Sequence, residues 1–266
     1  MLGRFLNMMR EKHPLVHCIT NYVTANDCAN LLLACGASPV MADAPEEAAE
    51  ITAGCDALVI NLGTLSQSRL SAMLAAGRQA NQTGIPVVLD PVGVGASDFR
   101  HAAVREILQA VQLSAIRGNC SEISAMTDPT LHRNGVDSAR CDTDSAAESA
   151  RRLARMTGAV VAASGQEDFI TDGQTAFRIF NGHPILRQIT GAGCMLSALA
   201  GAFFAAEASA ESLAAAVCMT GLAGETAAAR MTAADGSASA RNYLIDAVFR
   251  MTSEQLEEGA RFERIT

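Results

Sequence analysis

Four short segments hold residue types suited to phosphate and proton chemistry. The first is Thr190-Gly191-Ala192-Gly193-Cys194-Met195-Leu196, which opens a long run of small apolar residues. Two glycines let a backbone turn tightly and aim consecutive N–H groups at one point. The positive end of the helix that follows adds charge there, which suits a phosphate or a developing oxyanion. Cys194 falls in that first turn, where a thiol pKa is expected to drop towards neutrality. It could then take a proton from an attacking hydroxyl. The residues alone leave a second reading open, in which the glycines only turn the chain into a buried helix and Cys194 is packing.

The second segment is Asp90-Pro91-Val92-Gly93-Val94-Gly95-Ala96-Ser97, where an acid ends a continuous apolar run. Position 98 is Asp, so the glycines do not complete the GxGxxG dinucleotide fingerprint. In the third, Arg117-Gly118-Asn119-Cys120-Ser121-Glu122, Arg117 could clamp phosphate oxygens and Glu122 could reach a Mg²⁺ or its waters. Asn119 as a turn residue, Ser121 as a helix cap and Glu122 as an ordinary first-turn acid are equally open. The fourth is Ser164-Gly165. His17, inside an apolar strand, reads as a satisfied core histidine, and His183 reads as a turn residue.

All four segments follow candidate strands, which is why they are expected to meet. The strands are Leu15–Ile19, Ser38–Met41, Ala57–Asn61, Pro86–Asp90, Ala115–Arg117 and Ala159–Ala163. Helical patterns alternate with them over Asn26–Cys35, Pro45–Ala53, Ser66–Thr83, Phe99–Val111, Ser121–Met126 and Thr143–Thr157. Ser66 and either Asp142 or Thr143 are expected N-caps, and Gly36, Gly84 and Gly158 expected helix ends. Strands apolar on both faces and separated by helices predict a parallel sheet covered on both sides. Ligands of such sheets bind at the carboxyl ends of the strands. Around Asp172-Gly173, the segment Phe169–Phe180 predicts a hairpin at one sheet edge. Helices are expected over Gly193–Ala206, Ala210–Met231 and Ala240–Leu256, and Asp128–Arg140 is expected to be a surface loop. Without a linker or repeat, the prediction is one domain over residues 1–266.

Composition narrows the function classes. The chain is 49% hydrophobic and has no Trp, enough apolar mass for a large core. Its net charge is −8, and no Lys/Arg run exceeds two residues, so a nucleic-acid groove is not expected. The eight cysteines lie too far apart in sequence for a CxxC pair or a zinc ribbon and read as single thiols of a reducing cytosol. The N-terminus lacks an apolar signal core, and the Ala-rich stretch after Gly193 is broken by Glu207 and Glu211. A cytoplasmic protein without a membrane span is the expectation.

Taken together, Pro14–Asn30 (PLVHCITNYVTANDCAN), Gly36–Pro45 (GASPVMADAP), Asp90–Ser97, Ile116–Glu122 and Thr190–Leu196 resemble the hydroxyethylthiazole kinase family of the ribokinase-like superfamily. The resemblance runs from about Pro14 to the final helix. It implies a three-layer α/β/α fold with a mostly parallel sheet. It also implies ATP- and Mg²⁺-dependent phosphorylation of 4-methyl-5-(2-hydroxyethyl)thiazole, and a homotrimer with thiazole sites between subunits. By motif, Met41 and Gly191 would contact the thiazole alcohol, with Asn21 lining its pocket. Arg117 and Ser164 would bind ATP, Asp90 and Glu122 would organise Mg²⁺, and Cys194 would be the catalytic base. Most ribokinase-like relatives carry Asp at the position of Cys194, which points to the thiazole branch. Ala192 and Ser164 stand where this family often has Thr. Rival expectations on the same fold are a kinase for another alcohol, a lyase that repairs hydrated nicotinamide cofactors, and a non-catalytic nucleotide-binding module.

Overall fold

The computed structural model describes residues 2–128 and 143–265. The chain begins with α1 (Gly3–Lys12), β1 (Leu15–Ile19), α2 (Ala25–Cys35), β2 (Ser38–Val40), α3 (Ala48–Ala53) and β3 (Ala57–Asn61). Next come α4 (Gln67–Thr83), β4 (Val87–Asp90), α5 (Asp98–Ala110), β5 (Ala115–Asn119), α6 (Cys120–Thr127), α7 (Thr143–Thr157) and β6 (Val160–Ser164). The last part holds β7 (Asp168–Thr171), β8 (Ala176–Ile179), α8 (Ala192–Ala206), α9 (Ala210–Arg230), α10 (Ser237–Arg250), α11 (Ser253–Gly259) and β9 (Phe262–Ile265). Most of the segment expected as a surface loop, together with Asp142, lies outside the described residues.

The strands form one sheet in the order β2-β1-β3-β4-β5-β6-β7-β8-β9. From β2 to β6 every pairing is parallel, and β6 to β9 pair antiparallel. Period-two alternation sends Val59 of β3 to one face and its neighbours Leu58 and Ile60 to the other. The first face is covered by α1, α2 and α8 to α10, the second by α4, α5 and α7. This is the three-layer α/β/α arrangement, with parallel strands buried on both sides.

Several boundaries carry their own cause. Ser66 caps α4 by accepting the Arg69 N–H, and Gly36 ends α2 at φ 104°, where a side chain would be strained. At α6 the expected Ser121 cap is replaced by Asn119, whose side chain accepts the Glu122 N–H in a capping box. The expected helix over Ala240–Leu256 is two helices. A second capping box, Thr252 with Gln255, starts α11 after α10 has ended. The hairpin β7–β8 forms around Asp172-Gly173 but is not the edge, because β9 pairs outside it. The residues of α1 had no assigned element in the sequence reading. They fold because Phe5, Leu6 and Met9 share one buried face.

The apolar length of α9 would suffice for a membrane span, but it is explained by burial within the protein. Cys18, Cys28, Cys35, Cys55, Cys194 and Cys218 are free thiols, and all but Cys194 are fully buried. Cys120 departs from the expected single thiols: it is disulfide-bonded.

The seat of α8 matters most for the site, since its first turn bears Cys194. Gly201 brings the helix against β3 and β1: a Cβ there would lie 2.5 Å from Val59 Cγ2 and 3.2 Å from Val16 Cγ1. Gly201→Val should therefore lift α8 and cost about 1–3 kcal/mol. A lowered urea midpoint at unchanged m-value checks this, and a parental midpoint would refute it.

Candidate functional site

The carboxyl ends of β3 to β6 meet the first turn of α8, so the four sequence segments converge as expected. Neighbouring strands set the register: Asn61 pairs with Asp90, and Asn119 with Ser164. Each strand ends in a polar residue because its apolar run must stop where the sheet leaves the core.

Asp90 is wholly buried. Its Oδ2 accepts from Asn61 Nδ2 at 2.8 Å and from Ser197 Oγ, one turn into α8, at 2.7 Å. Its Oδ1 is buried and has no hydrogen-bond partner among the described residues. Burial raises the Asp90 pKa to about 6, Arg117 opposing and Glu122 adding to the rise.

Cys194 faces two side-chain amides: Asn21 Nδ2 and Asn61 Nδ2 each lie 3.3 Å from its Sγ. Its thiol pKa is raised, by burial first and then by the charge of Asp90, with the amide donors opposing. This reverses the lowering expected from the helix start. The dipole acts on a sulfur that is largely removed from water beside an anion, and those two effects win.

Both glycines of the turn are forced by close neighbours. Gly191 has φ 80°, and a Cβ on it would fall 2.3 Å from Thr24 Cγ2. On Gly193 a Cβ would fall 2.5 Å from Arg117 Nη1. The helix start is thus wedged between the α2 entry and the guanidinium. Arg117 Nη2 donates to Ser164 Oγ at 2.6 Å, joining the two residues expected to bind nucleotide. Its Nε is buried without a hydrogen-bond partner among the described residues.

Glu122 staples two loops. Its Oε2 accepts the Asn119 N–H at 2.7 Å, and its Oε1 accepts the Gly93 N–H at 2.9 Å. Arg100 adds a second tie, donating from Nη1 to the carbonyls of Val92 and Leu62.

The two carboxylates fit a Mg²⁺ unequally. The bare Oδ1 of Asp90 is the kind of buried oxygen a hard cation satisfies, whereas both Glu122 oxygens already accept backbone N–H groups and suit a contact through water. Mg²⁺ needs no more, since it keeps several waters and binds through one or two carboxylates plus phosphate.

Asn21, Cys194 and Asp90 therefore lie in one hydrogen-bonded network joined by Asn61, and the Arg117–Ser164 pair borders it at Gly193 and through the charge of Arg117 on Asp90. Met41 stands apart from this network, just past β2 and 36% exposed. His17 is the expected core histidine, with Nδ1 2.8 Å from Thr52 Oγ1 and Nε2 2.7 Å from the Ala42 carbonyl. His183 caps a short 3₁₀ turn. The sequence reading missed Asn61, Ser197 and Asp168. Asn61 had a signal, since it ends an apolar strand just as Asp90 does. Ser197 lies three residues past Cys194, on its side of the helix. Asp168, which accepts the Gly165 N–H and is raised to about 6 by burial, had none.

The hydroxyethylthiazole kinase family model matches residues 6–254. The chain is 44% identical to the hydroxyethylthiazole kinase of Clostridium acetobutylicum, with 99% of each chain covered. It is 46% identical to that of Methanoculleus marisnigri, over 97% of this chain and 91% of the relative. The solved hydroxyethylthiazole kinase structure from Pyrococcus horikoshii superposes with a TM-score of 0.90 at 36% identity, covering 100% of this chain and 99% of that one. Bacillus subtilis pyridoxal kinase matches at a TM-score of 0.60 and 16% identity, over 80% of this chain and 91% of that one, a likeness of fold.

The raised acids set a pH dependence. Asp90 and Asp168 bind protons more tightly folded, at about 6, than at the ordinary 3.8. Their contribution to stability is complete below that ordinary value and is lost as pH rises through about 6. Asp90→Asn should thus be more stable than the parent at pH 8, by on the order of 1–3 kcal/mol, and should lose the advantage at pH 4. Thermal melts of the ligand-free proteins check this, and an equal pH slope in both would refute it.

Proposed function

The chain belongs to the hydroxyethylthiazole kinase family, and we propose that the site at α8 carries that family's reaction. The γ-phosphoryl group of ATP passes to the hydroxyl of 4-methyl-5-(2-hydroxyethyl)thiazole, in thiazole salvage for thiamine biosynthesis. One observation carries the assignment: the glycine-started helix meets the buried acid Asp90 and the Arg117–Ser164 pair, with the Cys194 sulfur against the Asn21 and Asn61 amides.

In this reading Arg117 and Ser164 hold ATP, the guanidinium gripping phosphate oxygens through its forked N–H groups. The Gly193 and Cys194 amides in the first turn of α8, which have no intrahelical partner, face the transferring group, while the Ala192 N–H is taken by the Ile189 carbonyl. Gly191, Asn21 and Met41 border the thiazole alcohol. The alcohol oxygen bonds to the γ-phosphorus as the bond from that phosphorus to the β–γ bridging oxygen breaks, and ADP leaves with the bridging oxygen. The alcohol proton passes to the thiolate of Cys194. That thiolate is a minor form in the free site, given the burial and Asp90. Proton removal is therefore a smaller share of catalysis than alignment and charge balance, as a loose phosphoryl transition state allows. Asp90 and Glu122 would hold Mg²⁺, which when bound neutralises phosphate charge.

Incubation with ATP and the thiazole alcohol should yield the phosphorylated alcohol by mass spectrometry, and absence of that product would remove the assignment. Cys194→Ala should still bind ATP but lose about 10²–10⁴ in kcat. Cys194→Asp should remain active and extend activity to lower pH, because a carboxylate ionises there. Parental turnover in the alanine variant would reduce Cys194 to packing.

We further propose a homotrimer with the thiazole pocket shared between subunits. Support comes from the apolar side chains left open beside the pocket: Tyr22 is 78% and Val23 57% exposed, immediately after Asn21. A sedimentation mass of three chains is expected at micromolar concentration, and a single-chain mass would overturn the shared pocket.

A further inference from the structure

Asn61 connects the proton-accepting and charge-bearing halves of the site, yet neither touches a phosphate nor titrates. It ends β3 with its side chain 1% exposed. Its Oδ1 accepts the Gly63 N–H at 2.9 Å and an N–H of Asn21 at 3.1 Å. Its Nδ2 gives one hydrogen to Asp90 Oδ2 at 2.8 Å and faces Cys194 Sγ at 3.3 Å. All the capacity of the amide is thereby directed.

The two ends of a carboxamide have the same shape, so only its partners fix which way it points. Here the Gly63 N–H can only donate and the ionised Asp90 can only accept. Turning the amide over would oppose two donors at one end and two acceptors at the other. Gly63 also has to be glycine, since a Cβ on it would fall 2.6 Å from Asn21 Cβ and push away the second amide that faces the sulfur. A backbone N–H beyond β3 thus decides that the sulfur meets a donor. With N–H groups of Asn21 and Asn61 on two sides, the lone pairs of the sulfur are held towards the amides.

We propose that Asn61 is a positioning residue for the phosphoryl transfer: locked by Gly63, its amide holds the Cys194 sulfur as a proton acceptor and ties it to Asp90. This rests on the reading that Cys194 takes the alcohol's proton.

Asn61→Asp is the sharpest probe. It is isosteric and keeps an oxygen for the Gly63 N–H and Asn21, but puts an oxygen where the donating NH₂ stood. The first readout is the rate of Cys194 alkylation by iodoacetamide at fixed pH, without ATP or metal, followed by mass spectrometry of the Cys194 peptide. A hydrogen bond to a charged group carries about 10–100-fold, so alkylation should slow by about that factor. The second readout is the division between kinetic constants. Here kcat should fall at least about 10-fold, with the KM for ATP within about threefold at saturating Mg²⁺, since Asn61 reaches the phosphate clamp only through Asp90. A parental value of either the alkylation rate or kcat overturns the inference. If the isostere does not fold, Asn61→Ala serves instead. The space it opens would favour the reagent, so slower alkylation supports the inference and equal or faster alkylation overturns it. Cys194→Ala run in parallel separates the two levels. If it turns over like the parent, the underlying role of Cys194 fails. If it is impaired while Asn61→Asp behaves like the parent, only the role of Asn61 fails.

Discussion

The way Asp90 is held at the tip of β4 governs the electrostatics of the candidate site. A carboxylate with no exposure would ordinarily shed its charge. Here one oxygen is satisfied by Asn61 and Ser197 while the other is left bare. Arg117 opposes the rise in its pKa. The ligand-free fold thus carries a destabilising anion at neutral pH that only a bound cation would fully offset. Stability is given up where function needs a charge, as is common in enzyme sites.

The second constraint is distance. Helix α8 comes so close to β3, Thr24 and Arg117 that a Cβ at Gly191, Gly193 or Gly201 forces a neighbour to shift, readily only at Gly193, where that neighbour is the end of the Arg117 side chain. Closeness at Gly201 seats the helix on the sheet, and closeness at Gly191 and Gly193 brings its amides to the strand tips. Packing and chemistry therefore share one requirement. A substitution that loosens the core contact would also move the first turn of α8, so in the proposed reading stability and turnover fall together along this helix.

Much of this was legible in the sequence, for physical reasons. Two-sided burial makes parallel strands read as unbroken apolar runs, so β1 and β3 were delimited to the residue. Convergence of three segments followed, because Asp90, Arg117–Glu122 and Ser164-Gly165 each trailed such a run, whereas Thr190–Leu196 follows a 3₁₀ turn and is brought to the strand tips by the packing of α8. The misses were equally physical. Strand β9 is four residues, Phe-Glu-Arg-Ile, too short and too charged for an apolar signal, and exists because β8 offers an open edge. The break between α10 and α11 depends on a side-chain cap, which interrupts an otherwise helical pattern. The Cys194 shift was misjudged because position at a helix start is visible in sequence, whereas the depth of the sulfur and the nearness of Asp90 appear only after folding. Asn61 escaped because an amide carries no charge to draw notice, and its importance lies wholly in the direction it points.

The placing of the Cys194 sulfur has one more consequence. Among the described free cysteines, Cys194 is the one not buried, and a reactive thiolate in such a place is the usual target of peroxide, which converts it to sulfenic acid. Burial and the neighbouring anion keep this sulfur mostly as the thiol, the form that resists such attack. The burial and charge that keep Cys194 protonated thus also shield an oxidisable atom.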